Sequence, residues 1–406
     1  MVAIITPFVI LVVLGALYFF PVPVALSISL FSSIFLNRNN YVLVVFLFSF
    51  WFIFFGMAMD PISYIGDYSR YYLSFYRPME QILATGKLYR YFVFESLQFL
   101  DFGPQFYTGL SLFFNYFLTT LISLKFVILF IGNHRKSLLT FFMLAAIMYP
   151  STAIGNFESM LSFNLIYLSF YLFVIERKWL SYLAALFAPL IHPAAIPLTL
   201  LMFFPILCYS RFTRIRHLVM GCAGAGIFLF LTLPLDSVMP FVGHIQRKAI
   251  TFLTGPWSEY IERRDFEFII IAMLKFAVCY FSIFVARNAI YSKEIYSHVD
   301  RVLSVSKYML PYFVLCILSR TLAERYIYFG MFFFFPLLVL AMMNCKRKVN
   351  RVFLISLCLT IVFLPQNIIV FGVIATKGYT METIDMNLVE LLVHTYGRAP
   401  DPVGRL

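Results

Sequence analysis

Long apolar runs, separated by short polar turns, occupy most of this chain. Residues 2–36 form one such run, broken by Pro21 and Pro23, and are expected to make two membrane spans. Asn37-Arg38-Asn39-Asn40 is a polar turn, and 41–57 is a third span. The stretch 58–105 departs from the pattern. Its first part sets Asp60, Asp67, Arg70 and Arg77 among Tyr64, Tyr68, Tyr71, Tyr72 and Tyr76. Its second part alternates aromatics with Glu80, Lys87, Arg90 and Glu95, the mark of amphipathic helices lying along a membrane interface. The whole stretch is expected to be a large first external loop.

Further spans follow at 106–131, from the GNHRKS turn to Ile154, and from the GNFE turn to Ile175. The run 179–208 is too long for one crossing of roughly 20 residues. It is interrupted at LIHPAAIP and flanked by basic residues on both sides, so a hairpin turning at His192 and Pro193 is expected. Then come a span at 218–234, a second external loop at 235–265, a span at 266–286, a charged loop at 287–307 and a short span at 308–318. After the SRTLAER turn, 326–343 and 352–375 complete the set. The tail 376–406 carries a weak amphipathic helix around Ile384 to His394. The expected fold is therefore all-α: a single polytopic integral membrane domain over 1–406, with about 12–14 transmembrane helices.

Composition strengthens this reading. The chain has 406 residues, of which 62% are apolar and 12% charged. Soluble domains carry roughly 25% charged residues. The net charge of +12 is a matter of topology rather than of nucleic-acid binding. The loops 37–40, 132–137, 176–178, 209–217, 287–307 and 344–351 hold 16 Lys/Arg against three acids; the opposite loops with the tail hold 13 against 16. That asymmetry assigns the first group to the cytoplasm. The first run has no basic flank and no small-residue cleavage site, so it is expected to be retained as a span. The six cysteines lie in or beside apolar runs without metal-site spacing, and no cofactor or metal is expected. No phosphate-binding glycine loop or metalloprotease motif is present.

The candidate chemistry lies on the outer face, where arginines run against the usual bias. Arg70 lies in the first loop, Arg247, Lys248, Arg263 and Arg264 in the second, and Arg320 and Arg325 between two short spans. A guanidinium stays charged and matches phosphate bidentately. Such a set would suit a pyrophosphate-bearing lipid; the alternative is pairing with Glu259, Glu262, Asp265, Glu324 or lipid head groups. His192 is either a general base at the surface or a polar cap at a helix break. Asp60 and Asp67 are either base and orienting acid or ion-pair partners of Arg70 and Arg77. Glu158 stands alone in its turn. Lys275, deep in a span, is either functional or a snorkelling side chain.

Several segments together resemble the EpsG/Wzy class of polysaccharide polymerases: GDYSRYYLSFY, then YRYFVFESLQFLDFGPQFY, then LIHPAAIP, and late in the chain ERYIYF. The order and spacing of these pieces, from about residue 60 to 335, carry the resemblance. In one departure, NFESMLS places Glu158 where the family often has an arginine. The resemblance implies a GT-C-like membrane glycosyltransferase of the bacterial inner membrane, with a periplasmic active face. It would join oligosaccharide repeat units carried on undecaprenyl pyrophosphate. His192, Asp67 and Asp60 are the implied catalytic groups, and the seven outer cations the pyrophosphate ligands. Tyr68, Tyr71, Tyr72, Glu158 and Glu324 are the implied sugar contacts. A chain-length regulator is a candidate partner. An O-antigen ligase, another polyprenyl-phosphate-sugar transferase, or a flippase of the same lipids are the competing readings.

Overall fold

Helices form here because backbone N–H and C=O groups in an apolar surrounding must be satisfied within their own segment. The computed structural model describes residues 12–37, 39–59, 68–85, 87–132, 135–148, 156–208, 246–247, 250, 263–289, 291–328, 330–344, 387 and 389–390. Among them every element is helical and no strand occurs. In chain order the helices are α1 (Pro21–Ile34), α2 (Tyr41–Met57), α3 (Tyr68–Ser74), α4 (Met79–Ala84), α5 (Leu88–Phe99), α6 (Gln105–Ile131), α7 (Arg135–Met148), α8 (Phe157–Val174), α9 (Lys178–Ile191), α10 (Ile196–Cys208), α11 (Arg263–Arg287), α12 (Lys293–Leu315) and α13 (Phe335–Asn344).

Among the described residues, five stretches are long and apolar enough to cross a membrane: Gln105–Ile131, Phe157–Val174, Ile269–Arg287, Ile295–Leu318 and Arg325–Asn344. The chain is accordingly read as a membrane protein. The expected spans at 218–234 and 352–375 lie outside the described residues, as do most of the 235–265 loop and of the tail helix.

α6 is the axis of the bundle, with α2 and α8 packed against it. The α2–α6 contact is close because two glycines meet. A Cβ on Gly109 would stand 2.4 Å from the Ile53 carbonyl oxygen, and one on Gly56 would stand 2.8 Å from Gly109 Cα. Backbone cannot yield as a flexible side chain can, so Gly109→Ala must push the helices apart. The expected loss is about 1–3 kcal/mol of stability, read as a lowered melting temperature in detergent. Gly15→Ala, which meets nothing within 4 Å, is the control.

Towards α8, α6 presents a polar residue at every fourth position, so that Tyr107, Ser111, Asn115, Thr119 and Ser123 fall on one face. Each is buried and each is bonded. Asn115 donates to the Phe157 carbonyl at 2.9 Å, and Asn164 Nδ2 donates to Asn115 Oδ1 at 2.8 Å. Thr119 donates to Asn164 Oδ1 at 2.5 Å, and the Ser123 and Tyr167 hydroxyls lie 3.2 Å apart. In a bundle with little hydrophobic drive between helices, such bonds hold neighbours together at about 0.6–2 kcal/mol each.

α8 and α9 are joined by reciprocal bonds between Ser169 and Ser181, each hydroxyl donating to the other's carbonyl at 2.8 Å. The expected hairpin is present: α9 ends at Ile191, a short 3-10 turn spans Pro193–Ala195, and α10 runs back. Thr199 Oγ1 donates to the Ala185 carbonyl, and the Tyr182 and Phe203 rings stack at 5.5 Å, which fixes the two arms antiparallel.

One boundary differs from expectation. The segment 287–307 is not a charged loop before a short span; from Lys293 it is the first half of α12, one continuous helix to Leu315. Its charges are spent on a neighbour. Arg301 donates to the Val174 carbonyl at 2.9 Å and to Glu176 Oε1 at 2.7 Å, and His298 Nδ1 lies 2.9 Å from the same carbonyl. Cations at the carbonyl end of α8 are favoured by the helix dipole and need no loop. Hydropathy alone reads these charges as solvated.

The bundle has two distinct ends. α6 and α8 both start at the end where α3, α5 and the His192 break are found, while Glu176 and Arg301 mark the opposite end.

Candidate functional site

Glu158 enters the structure in the first turn of α8 and is completely buried. It does not stand alone. Lys87 Nζ reaches Glu158 Oε2 at 2.8 Å, Arg90 Nε reaches Oε1 at 2.5 Å, and the Tyr107 hydroxyl donates to Oε1 at 2.5 Å. Lys87 and Arg90 come from the start of α5, and Tyr107 from the first turn of α6. An unpaired charge here would be costly, so the helix ends converge on the carboxylate.

The cations are also held from the α3 side. The Tyr71 ring faces the Arg90 guanidinium at 4.7 Å and Lys87 Nζ at 5.8 Å. Arg90 donates a further bond to Ser74 Oγ at 3.2 Å. Burial works against charge on Arg90, but Glu158 and the neighbouring phenol rings more than offset it, and the guanidinium stays protonated. Tyr89, whose hydroxyl lies 2.8 Å from Ser111 Oγ, is pushed up by burial and stays neutral.

His192 lies at the α9–α10 break beside this cluster. Its Nδ1 accepts a hydrogen bond from the Ala194 N–H at 3.1 Å, and Ser159 Oγ of α8 lies 3.4 Å from the same nitrogen. Tyr326 donates to the Ala194 carbonyl at 2.8 Å, tying in the π-helical turn Ala323–Tyr328 that carries Arg325. Burial, then Lys87, with Arg325 and Arg90, hold His192 well below the ordinary histidine range; Glu158 opposes them. The unfolded chain, with an ordinary value of about 6.5, therefore binds the proton first. Stability should fall as pH drops below about 6.5, continuing towards the depressed folded value. Thermal melts between pH 7.5 and 5 are expected to show a steeper loss for the wild type than for His192→Gln.

The other predicted residues are placed as follows. Asp60, Asp67 and Lys248 lie outside the described residues, as do the side chains of Tyr68, Arg263, Arg264 and Glu324. Arg70 on α3 and Arg247 are exposed, and Arg320 and Arg325 are half-buried. Tyr71 and Tyr72 are buried; Tyr71 serves as a platform for cations, and Tyr72 packs on Tyr76 at 5.8 Å. Arg90 is not on the polar face of an interfacial helix, because its side chain turns inward to Glu158. Lys275 is covered by the protein rather than snorkelling, with 2% of its surface exposed. Among the described residues no group of three His, Cys, Asp or Glu side chains comes together to hold a metal.

Lys87, Arg90, Tyr107, Ser159 and Tyr326 are the site residues that reading the sequence missed. The available signal was Glu158 itself: a lone carboxylate in an apolar segment requires a cation from elsewhere in the chain. What results is one carboxylate shared by two cations, with a neutral imidazole and a third cation alongside. Such an arrangement can bind an anion and donate hydrogen bonds to it. No family model, no curated protein and no solved structure matches this chain.

Proposed function

We propose that the chain is a membrane glycosyltransferase that polymerises oligosaccharide repeat units carried on polyprenyl pyrophosphate, with a GT-C-like bundle in the bacterial inner membrane. The observation that carries the proposal is the gathering of two cations, Lys87 and Arg90, on the buried Glu158 at the helix ends. Lys87 and Arg90 bring their charged groups to one carboxylate, so cationic N–H donors are concentrated at the helix ends. That end is the periplasmic one in this reading, because it gathers the loops with fewer basic residues.

In this reaction the oxygen of an acceptor sugar hydroxyl bonds to the anomeric carbon of the growing chain. The bond from that carbon to the pyrophosphate oxygen breaks, and its electron pair leaves with the lipid pyrophosphate. The hydroxyl proton passes to a carboxylate, for which Asp67, immediately before α3, is the proposed base and Asp60 its orienting acid. Lys87, Arg90 and Arg325 stabilise the charge that develops on the leaving group, where preorganised cations act most strongly.

The test uses purified protein in detergent with a synthetic polyprenyl-pyrophosphate repeat unit. A ladder of oligomers on a gel is expected from the wild type, and none from Asp67→Asn. Single addition to a lipid A acceptor without a ladder would assign a ligase instead. Movement of the lipid across vesicles without any bond formed would assign a flippase.

A further inference from the structure

His192 occupies a local geometry that defines which of its nitrogens carries the proton. The residue caps the 3-10 turn Pro193–Ala195, and its Nδ1 accepts the Ala194 amide hydrogen. A backbone N–H donates and never accepts, so this Nδ1 presents a lone pair. In the neutral ring the proton then resides on Nε2. The turn holding this arrangement is fixed from two sides. Pro193 presets its first residue's φ, and the Tyr326 hydroxyl is bonded to the Ala194 carbonyl. Ser159 approaches the same Nδ1 from α8.

The charged neighbours agree with a neutral ring. Lys87, Arg90 and Arg325 oppose a proton on His192, and Glu158, already shared by two cations, favours one. A ring whose Nδ1 lone pair is engaged and whose Nε2 bears hydrogen has no nitrogen left to receive a substrate proton. It has one N–H to offer.

We propose that His192 is a catalytic hydrogen-bond donor, presenting Nε2–H to a phosphate oxygen of the leaving group, and that Tyr326 is the positioning residue that holds the Ala194 turn and hence the tautomer. The identity of the phosphate rests on the polymerase reading; the tautomer does not.

Two measurements separate the parts. Solid-state NMR of membrane-reconstituted protein with 15N-labelled histidine, compared with His192→Gln to identify the signal among six histidines, reads the tautomer without substrate. A protonated Nε2 and a lone-pair Nδ1 at neutral pH are expected. An Nδ1–H tautomer or an imidazolium would overturn the proposal. Tyr326→Phe should mix the two tautomers, whereas a purely structural role would leave them as they are.

In the oligomer assay, His192→Ala should lose about 10²–10³-fold in rate, the usual effect of removing one preorganised donor. His192→Gln, whose amide nitrogen replaces Nε2 as donor, should stay within about tenfold of the wild type on the same grounds. Equal inactivity of folded Gln and Ala variants would return His192 to the role of base. A correct tautomer in a protein that makes no oligomer would leave the donor geometry standing and remove the polymerase reading.

Discussion

Glu158→Gln is expected to unfold the Glu158 end of the bundle. Glutamine keeps the shape of the side chain but removes the charge, leaving Lys87 and Arg90 close together without their shared counter-ion. Arg90 is 8% exposed and Glu158 0%, so water cannot replace the lost partner. Breaking one partner of a buried pair costs about 3–5 kcal/mol, and Tyr107 loses its carboxylate acceptor as well. A thermal or denaturant melt in detergent reads the effect. The double variant Glu158→Gln/Arg90→Gln should lose less than the sum of the two singles, since one mismatched cation is removed together with the anion. A single-variant loss below about 1 kcal/mol, the scale of a surface pair, would show that the cluster does not hold the helix ends together.

Lys87→Ala should separate stability from activity. Its side chain is 13% exposed, more than those of its partners in the cluster, and its loss leaves Arg90, Glu158 and Tyr107 bonded to one another. One of the two cations gathered on Glu158 is then lost. Stability should fall by about 1.5–3 kcal/mol, the range of a hydrogen bond to a charged group and less than for Glu158→Gln. Oligomer formation should slow by about 10²–10³-fold, because a cation that would stabilise the leaving pyrophosphate is gone. Lys87→Arg, which keeps the charge, should retain most of the rate. A fully active, folded Lys87→Ala protein would reduce the cluster to a structural brace and withdraw the observation on which the polymerase reading rests.

The helices themselves were legible along the chain. The boundaries of α2 at 41–57, α6 near 106–131 and the break at His192 agree with the apolar runs and with Pro193. They are local properties: hydropathy, proline and basic flanks act within a turn or two of the residues that carry them. Where the same local rule met charges with a distant partner, it failed. The segment from Lys293 reads as a loop until Arg301 is seen to donate to the carbonyl end of α8, 127 positions away in the chain.

The site was hidden for the same reason. Glu158 meets Lys87 across 71 positions and Arg90 across 68. Neither spacing is a helical or strand period, so no pattern in the chain marks these residues as partners. Hydropathy announces only that such charges are out of place. Which of them meet, which tautomer a histidine adopts and whether a tyrosine faces a sugar or a guanidinium are decided by the packing of helix ends. There the cost of an uncompensated charge in an apolar bundle selects the arrangement.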